Sequence, residues 1–99
     1  MKVWAKTLKD HKIQTDVVQE FSPARPLDLN EWTFILHELC QILELERPVI
    51  LNKHVNDLNQ FGHTLFRPSD FMDLFAYDYF EVEVFPEQKK DAISLFSDN

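Results

Sequence analysis

The sequence predicts an α+β fold: a small mixed or antiparallel sheet with one long helix lying on one face. Residues 79–85 alternate between apolar and acidic side chains, as a strand does when one face of its sheet is buried. Residues 28–47 repeat apolar side chains at steps of three and four, as an amphipathic helix does. Two runs rich in β-branched and aromatic residues, 3–8 and 13–18, precede that helix. The expected order is hairpin, helix, strand, short helix and strand.

The bulk composition is typical of one small globular domain. The chain has 99 residues, with 44% hydrophobic and 27% charged side chains, so we expect a single domain over residues 1–99 with 86–99 as a C-terminal tail. No apolar run approaches the roughly 20 residues that a membrane-spanning helix needs, so no membrane association is expected. The single cysteine, Cys40, has no partner for an internal disulfide, which favours the cytoplasm.

The charge balance argues against nucleic acid as a partner. The chain carries 17 acidic and 10 basic residues, a net charge of −7. A nucleic-acid binder is expected to present a basic stripe to the phosphates, and the balance here has the opposite sign. The acidic excess, which is concentrated from Ser69 onward, indicates either a solvated face or a surface that docks on a basic partner.

The first elements are the hairpin and a break. Strands 3–8 and 13–18 are expected to be joined by a four-residue connection, 9–12, in which Asp10 can bond the backbone ahead of it. The tightest hairpins use Asn-Gly or Asp-Gly, and neither occurs here. Residues 22–26 contain two prolines, which end regular structure.

The helix has the clearest start signal in the chain. Asp28 is a suitable N-cap, and Glu31 three positions later completes a capping-box pattern. The helix must end by Pro48, because a residue that precedes proline is disfavoured in the α region. Phe34 is the exception to the apolar stripe and projects from the polar side, where it is either covered by a loop or part of a contact surface. The stripe consists of Leu29, Trp32, Ile35, Leu36, Leu39, Cys40, Ile42 and Leu43.

The elements after the helix are shorter. Residues 48–51 are too few for a helix and too apolar for a surface loop, which predicts a buried strand. Residues 52–63 are polar and contain the only glycine, so a connecting loop with a helical turn is expected there. Residues 64–66 suit a short strand. Ser69 is a candidate N-cap for one or two helical turns before the final strand.

The order strand, strand, helix, strand, strand resembles the β-grasp layout of ubiquitin-like proteins, and a ferredoxin-like or unclassified sandwich of sheet and helix is the alternative. The resemblance lies in residues 1–8, the helix, residues 49–51 and residues 79–84. The C terminus lacks a glycine pair, so conjugation chemistry is not implied. The chain also looks like the small uncharacterised proteins of Gram-positive bacteria, and the resemblance lies in the region from residues 47–51 to residues 70–71. That resemblance implies a single cytoplasmic domain and carries no activity with it.

Few residues indicate a catalytic, cofactor-binding or metal-binding role. One glycine in the whole chain excludes phosphate-binding and dinucleotide-binding loops, which need several, and no cofactor is expected. The only ligand-like spacing is His37-x-x-Cys40; a core cysteine beside a surface histidine is favoured over a metal site. Cys40 lies in the apolar stripe and is therefore unsuited to nucleophilic catalysis. Glu81 and Glu83 point to the polar face of a strand, as a solvated pair does. No residue is assigned a catalytic role, and the balance leans against an enzyme.

The first functional hypothesis is a non-enzymatic protein–protein interaction module that binds a protein partner or forms a homodimer. Its supports are the absence of a catalytic constellation, the acidic last third and several apolar side chains outside the expected core. These candidate contact residues are Phe34, Ile93, Leu95 and Phe96.

The alternative is a small-ligand or metal-binding protein, possibly an enzyme. It rests on polar side chains in and after the expected loop, where binding residues tend to occur. It requires His54 and His63 to meet in one pocket. The candidate residues are Lys53, His54, His63 and Arg67.

Overall fold

A computed structural model describes residues 1–22 and 27–85 of the chain, so the expected tail lies outside the described residues. The predicted α+β class and the order of strands and helices are confirmed. In chain order the elements are β1 (Lys2–Lys9), β2 (Lys12–Glu20), α1 (Leu29–Ile42), α2 (Asn52–Phe61), β3 (His63–Phe66), a 3-10 turn (Pro68–Asp70) and β4 (Tyr79–Val84). No helix in this part of the chain is long and apolar enough to cross a membrane.

The four strands form one sheet in the order β2-β1-β4-β3, and all neighbouring pairs are antiparallel. Alternate residues of each strand point to opposite faces. Ala5 pairs with Val82, and both lie fully buried on the face covered by the helices, called the core face below. Lys6 pairs with Glu81 on the other face, called the outer face.

The hydrophobic core fills the space between the core face and the two helices. Its largest members are aromatic, and Phe66 of β3 packs on Phe80 of β4 with ring centroids 5.7 Å apart. The predicted stripe of α1 supplies Trp32, Ile35, Leu36, Leu39 and Cys40, all buried, whereas Leu29 and Ile42, which were assigned to the same stripe, are exposed. The stripe therefore places α1 on the sheet as expected.

The β1–β2 hairpin is tighter than predicted. Lys9 pairs with Lys12, which leaves a turn of two residues, Asp10 and His11, with φ angles of 54° and 65°. Two positive φ angles are the signature of the turns that best match the twist of a hairpin, although Asn and Gly usually occupy them. The backbone N–H of Asp10 donates to Oδ2 of Asp78 at 2.9 Å, which holds the turn against the chain that enters β4.

Both ends of α1 have an identifiable cause. The predicted capping box is present: the N–H of Glu31 donates to Asp28 Oδ1 at 2.8 Å, and the N–H of Asp28 donates to Glu31 Oε1 at 3.1 Å. At the other end Glu44 adopts a left-handed conformation, with φ 58°, and the N–H of Leu45 donates to the carbonyl of Cys40 at 2.8 Å. This is a Schellman ending with glutamate at the position that glycine usually occupies.

The predicted buried strand over residues 48–51 is wrong. Only Pro48 forms a bridge, an isolated one with Phe71, while Val49 and Leu51 are 41% and 46% exposed. The apolar run lies against the loop before β4, where the N–H of Val49 also donates to the carbonyl of Asp70 at 2.7 Å, and it does not pair with the four-stranded sheet. The third strand of the order is β3, at the place where a short strand over 64–66 was also expected.

The predicted loop over residues 52–63 is instead mostly helix α2. Its N-terminus has an unusual cap, because Nδ1 of His54 accepts a hydrogen bond from the N–H of Leu51 at 3.0 Å. Gly62 ends the helix in the left-handed conformation, with φ 68°. A Cβ at Gly62 would lie 3.3 Å from the carbonyl oxygen of Val84, so glycine also permits β3 to start close to β4.

Ser69 is not the N-cap of the predicted helical turns: it lies inside a single 3-10 turn, Pro68–Asp70, whose N-cap is Arg67, and the backbone is extended at Phe71. Oδ2 of Asp70 accepts a hydrogen bond from the N–H of Arg67 at 2.8 Å and so closes this turn. Beyond it, the rings of Phe71 and Phe75 stack with centroids 4.1 Å apart. This aromatic pair folds the remaining connection to β4 against the core.

Candidate functional site

The residues of the predicted ligand pocket are separated by the sheet. His54, on α2, lies against the core face, where its ring centroid is 4.2 Å from that of Phe66. His63 alternates with Thr64 along β3 and therefore points to the outer face. Lys53 is exposed at the start of α2, and Arg67 follows the end of β3. The structure therefore brings only His63 and Arg67 to the same side, both close to Glu81.

His54 has the environment of a structural residue. It is 1% exposed, and burial is the largest influence on its pKa, which is lowered. Since Nδ1 accepts from Leu51, the neutral ring carries its proton on Nε2. That atom has no hydrogen-bond partner in the part of the chain that the structure describes, and lies 3.9 Å from Oδ2 of Asp70. The imidazole thus caps α2 and packs on Phe66.

The outer face carries an organised group of charges, called the Lys6 cluster below: Trp4, Lys6, His63, Glu81 and Glu83. Lys6 is only 6% exposed, and its Nζ lies 3.1 Å from Glu83 Oε1 and 3.3 Å from Glu81 Oε1. The same ammonium lies 3.6 Å from the ring centroid of Trp4, a cation–π contact. Glu81 and Glu83 are thus paired with a buried cation and are not the simple solvated pair that the strand pattern indicated.

Glu81 lies at the centre of this cluster. Burial alone raises the pKa of Glu81, but hydrogen bonds from His63 and Lys6, together with the nearby positive charges, outweigh burial and hold the pKa below its ordinary value. Glu81 is therefore ionised at neutral pH and serves as the acceptor for both neighbours. Such a carboxylate is a poor general acid.

Trp4 connects the Lys6 cluster to the edges of the outer face. Its indole Nε1 donates to Oδ2 of Asp16 on β2 at 2.9 Å. Its ring stacks on Phe85, with centroids 6.0 Å apart and an angle of 14° between the planes. The outer face is therefore an ordered surface rather than a set of independent solvated side chains.

A groove of about 520 Å³, called the hairpin-end groove below, opens beside this cluster where β1 ends and β4 begins. Its apolar lining is Leu8, Leu65, Pro68 and Tyr79. Its polar lining is His11, Arg67, Asp78 and Glu81. Of the residues predicted for a ligand site, Arg67 alone lines this groove.

The predicted contact residue Phe34 is 64% exposed on α1, while Trp32, two positions earlier, is 1% exposed. Phe34 thus lies on the side of the helix that faces away from the core. The other predicted contact residues, Ile93, Leu95 and Phe96, lie outside the described residues.

Three further apolar side chains are strongly exposed and were not predicted as contact residues. Phe61, at the end of α2, is 74% exposed, and Met72 and Leu74 are 86% and 96% exposed. Met72 and Leu74 lie between Phe71 and Phe75, which turn inward and stack. In the sequence, residues 71–75 look like one turn of a helix, so the outward direction of Met72 and Leu74 was not apparent.

The His37-x-x-Cys40 pair does not resemble a metal centre. Cys40 is fully buried, and burial raises the pKa of its thiol to about 12, so the thiolate that a metal needs does not form near neutral pH. Within residues 1–22 and 27–85 no group of three or more His, Cys, Asp or Glu residues is placed to hold a metal ion. Cys40 acts as a small core residue of α1.

Comparisons with known proteins give no relative from which to transfer a function. No protein-family model, no curated protein and no solved structure matches this chain.

Proposed function

We propose that this protein is a non-catalytic protein-interaction module. The side of α1 that faces away from the core, called the outer side of α1 below and marked by Phe34, Glu38 and Ile42, binds a basic, amphipathic segment of a partner protein. The observation that carries the proposal is the exposure of Phe34, whose side chain is 64% accessible in the middle of a well-capped helix. Large aromatic side chains are the residues that most often anchor protein interfaces. A free, buried thiol at Cys40 suits the cytoplasm as the setting.

The surroundings of Phe34 define the chemistry of the partner. Glu38 lies one turn after Phe34, and Ile42, 47% exposed, lies one turn further along the same side. Glu31 stands in the first turn, and α1 contains no lysine or arginine. An apolar strip with acidic neighbours fits a helical or extended segment that carries large apolar side chains between lysines or arginines.

Charge also distinguishes this partner from a second copy of the chain. A twofold contact through the outer side of α1 brings Glu31 and Glu38 of two copies together, and each copy carries a net charge of −7. Like charges at an interface oppose association. A basic partner does not meet this charge repulsion.

The test is an NMR titration of the full, isotope-labelled chain with a synthetic peptide of about 15 residues that presents leucines on one helical face among lysines. We expect shifts in the α1 amides, affinity that falls with added salt, and a loss of roughly tenfold in Phe34→Ala. Phe61→Ala is the matched control, because Phe61 is equally apolar and 74% exposed on the other helix.

Three results contradict the proposal. They are shifts located away from α1, equal affinity for a peptide with glutamate in place of lysine, and unchanged affinity in Phe34→Ala. Sedimentation velocity of the protein alone provides a separate check. A dimer that Phe34→Ala dissociates would replace the basic partner by a second copy.

A further inference from the structure

The hairpin-end groove lies on the sheet side of the molecule and is independent of the outer side of α1. We propose that this groove is a binding site for a small organic molecule that carries an oxyanion, either carboxylate or phosphate, on an apolar body. Its volume of about 520 Å³ is within the roughly 300–1,000 Å³ of small-molecule sites.

Both acids that line the groove already make contacts within the protein. Oδ2 of Asp78 already accepts the N–H of Asp10 at 2.9 Å. Glu81 contacts Nζ of Lys6 at 3.3 Å, a cation that it shares with Glu83, and is hydrogen-bonded to Nε2 of His63. The guanidinium of Arg67, in contrast, forms no ion pair with any residue of 1–22 or 27–85. Arg67 is therefore the group with unused capacity in the groove.

The geometry around Arg67 suits a ligand with an oxyanion at one end. Its Cζ lies 6.0 Å from the ring centroid of Tyr79, which is itself 37% exposed. The planar guanidinium presents a fork of N–H donors that matches two oxygens of a carboxylate or phosphate. Tyr79, Leu65 and Leu8 offer an apolar wall for the rest of the molecule. The proposed ligand places its oxyanion on Arg67 and its body along this wall.

The hairpin turn supplies a second contact. His11 lines the groove and has φ 65°, a conformation that the two-residue hairpin turn requires and that glycine adopts more easily than histidine. We assign the imidazole of His11 the role of a second donor to the ligand. Replacing it by glycine should therefore relax the turn and weaken binding at the same time.

The experiment titrates the full, isotope-labelled chain with phenyl phosphate, 3-phenylpropionate and the neutral 3-phenylpropanamide, followed by amide chemical shifts. We expect the two anions to shift residues around the groove at millimolar concentration or below, and the amide to bind at least roughly fivefold more weakly. Arg67→Gln should lose roughly tenfold in affinity for the anions. Arg47→Gln, which removes the same charge from an exposed position outside the groove, should bind as the wild type does.

His11→Gly provides the discriminating variant. Its unfolding midpoint should rise while its affinity for phenyl phosphate falls roughly threefold or more, which a purely structural turn residue would not produce. The proposal fails if neither anion binds, if the neutral amide binds equally well, or if Arg67→Gln behaves as Arg47→Gln does. A preference for phenyl phosphate over 3-phenylpropionate, or the reverse, decides between phosphate and carboxylate ligands. None of these outcomes depends on Phe34.

Discussion

The side-chain amide of Asn59 on α2 accepts a hydrogen bond from the indole Nε1 of Trp32 on α1, with 2.9 Å between the two atoms. The same amide bonds both backbone groups of Leu27: the N–H of Leu27 donates to Oδ1 at 3.1 Å, and Nδ2 donates to the carbonyl at 2.7 Å. Trp32 is 1% exposed, so its N–H has little access to water. One side chain on α2 therefore satisfies the polar groups where the chain enters α1.

Asn59→Ala should destabilise the fold by about 2–3 kcal/mol, because it leaves the buried N–H of Trp32 without an acceptor and frees the backbone of Leu27. The measurement is urea denaturation followed by circular dichroism. Asn56→Ala, at an exposed position of the same helix, is the control and should change the free energy of unfolding by less than about 0.5 kcal/mol. Equal effects of the two substitutions would show that the Asn59 amide does not join the helices.

Glu44→Gly should stabilise the protein by about 1 kcal/mol. Glu44 holds a left-handed conformation, φ 58°, which costs a residue with a Cβ more than it costs glycine. The strain that is relieved, about 1–2 kcal/mol, exceeds the roughly 0.5–1 kcal/mol of extra entropy that glycine loses on folding. Glu46→Gly is the matched control, since Glu46 is exposed and does not have a positive φ, and it should not raise the unfolding midpoint. A loss of stability in Glu44→Gly would contradict the prediction.

The elements that were predicted correctly are those with signals among residues close together in the sequence. The period of two in β4 and the capping box of α1 depend on neighbouring residues alone, so the sequence is sufficient for both. Trp32 and Phe34 also separate correctly into a buried and an exposed residue, since the helical stripe decides their directions.

Helix α2 was missed because its signals are of an unusual kind. It buries only Val55, Leu58 and His54, and its N-cap residue, Leu51, has no hydrogen-bonding side chain. The histidine replaces the Glu or Gln that usually reaches back from this position of a helix. The polar composition of residues 52–63 predicted both a loop in place of the helix and a ligand-binding role for His54.

The candidate site was only partly predictable, because it depends on strand order. Arg67 was among the predicted ligand residues and lines the groove, but Leu8, His11 and Tyr79 reach the groove only because β1 lies next to β4. The same neighbourhood places Lys6 between two carboxylates. Nothing in a single sequence fixes which strands pair across 70 or more residues, so the opposite charges could not be assigned to each other.

Lys6→Met should lower the free energy of unfolding by about 1–3 kcal/mol, because it leaves Glu81 and Glu83 side by side without their cation. Glu83 is 39% exposed, so water screens part of the repulsion and the loss stays below that of a fully buried pair. The pKa of Glu81 should rise in this variant. In the wild type the stabilisation is present above the ordinary pKa of about 4.5 and is lost as pH falls through and below that value.

The control for Lys6→Met is Lys2→Met, which alters an exposed lysine on the same face of the same strand. It should leave the unfolding midpoint in urea almost unchanged. Adding Glu81→Gln to Lys6→Met should recover part of the lost stability, because only one carboxylate then remains. If the double variant is as unstable as the sum of the two single variants, Lys6 and Glu81 are not coupled.

The stability of the protein should fall as pH decreases below about 6.5, in part through His54. Burial lowers the pKa of His54 below its ordinary value of 6.5, and the carboxylate of Asp70 offsets only part of this effect. At pH values below 6.5, His54 therefore binds a proton more readily in the unfolded chain than in the folded chain. The contribution of His54 is complete above that pH and is lost progressively as pH falls toward and through the folded pKa.

His54→Asn isolates this contribution, because Asn Oδ1 can accept from the N–H of Leu51 as His54 Nδ1 does, but does not titrate. The variant is expected to be less stable at pH 7.5, since it leaves space beside Phe66, yet to lose less stability than the wild type between pH 7.5 and 5. His37→Gln is the comparison, because burial and then Arg47 also lower the pKa of His37, though it is only half-buried on the surface of α1. The free energy of unfolding is measured by urea denaturation at each pH. If it changes equally with pH in the wild type and in His54→Asn, the folded protein accommodates the charged imidazole without cost and the prediction is wrong.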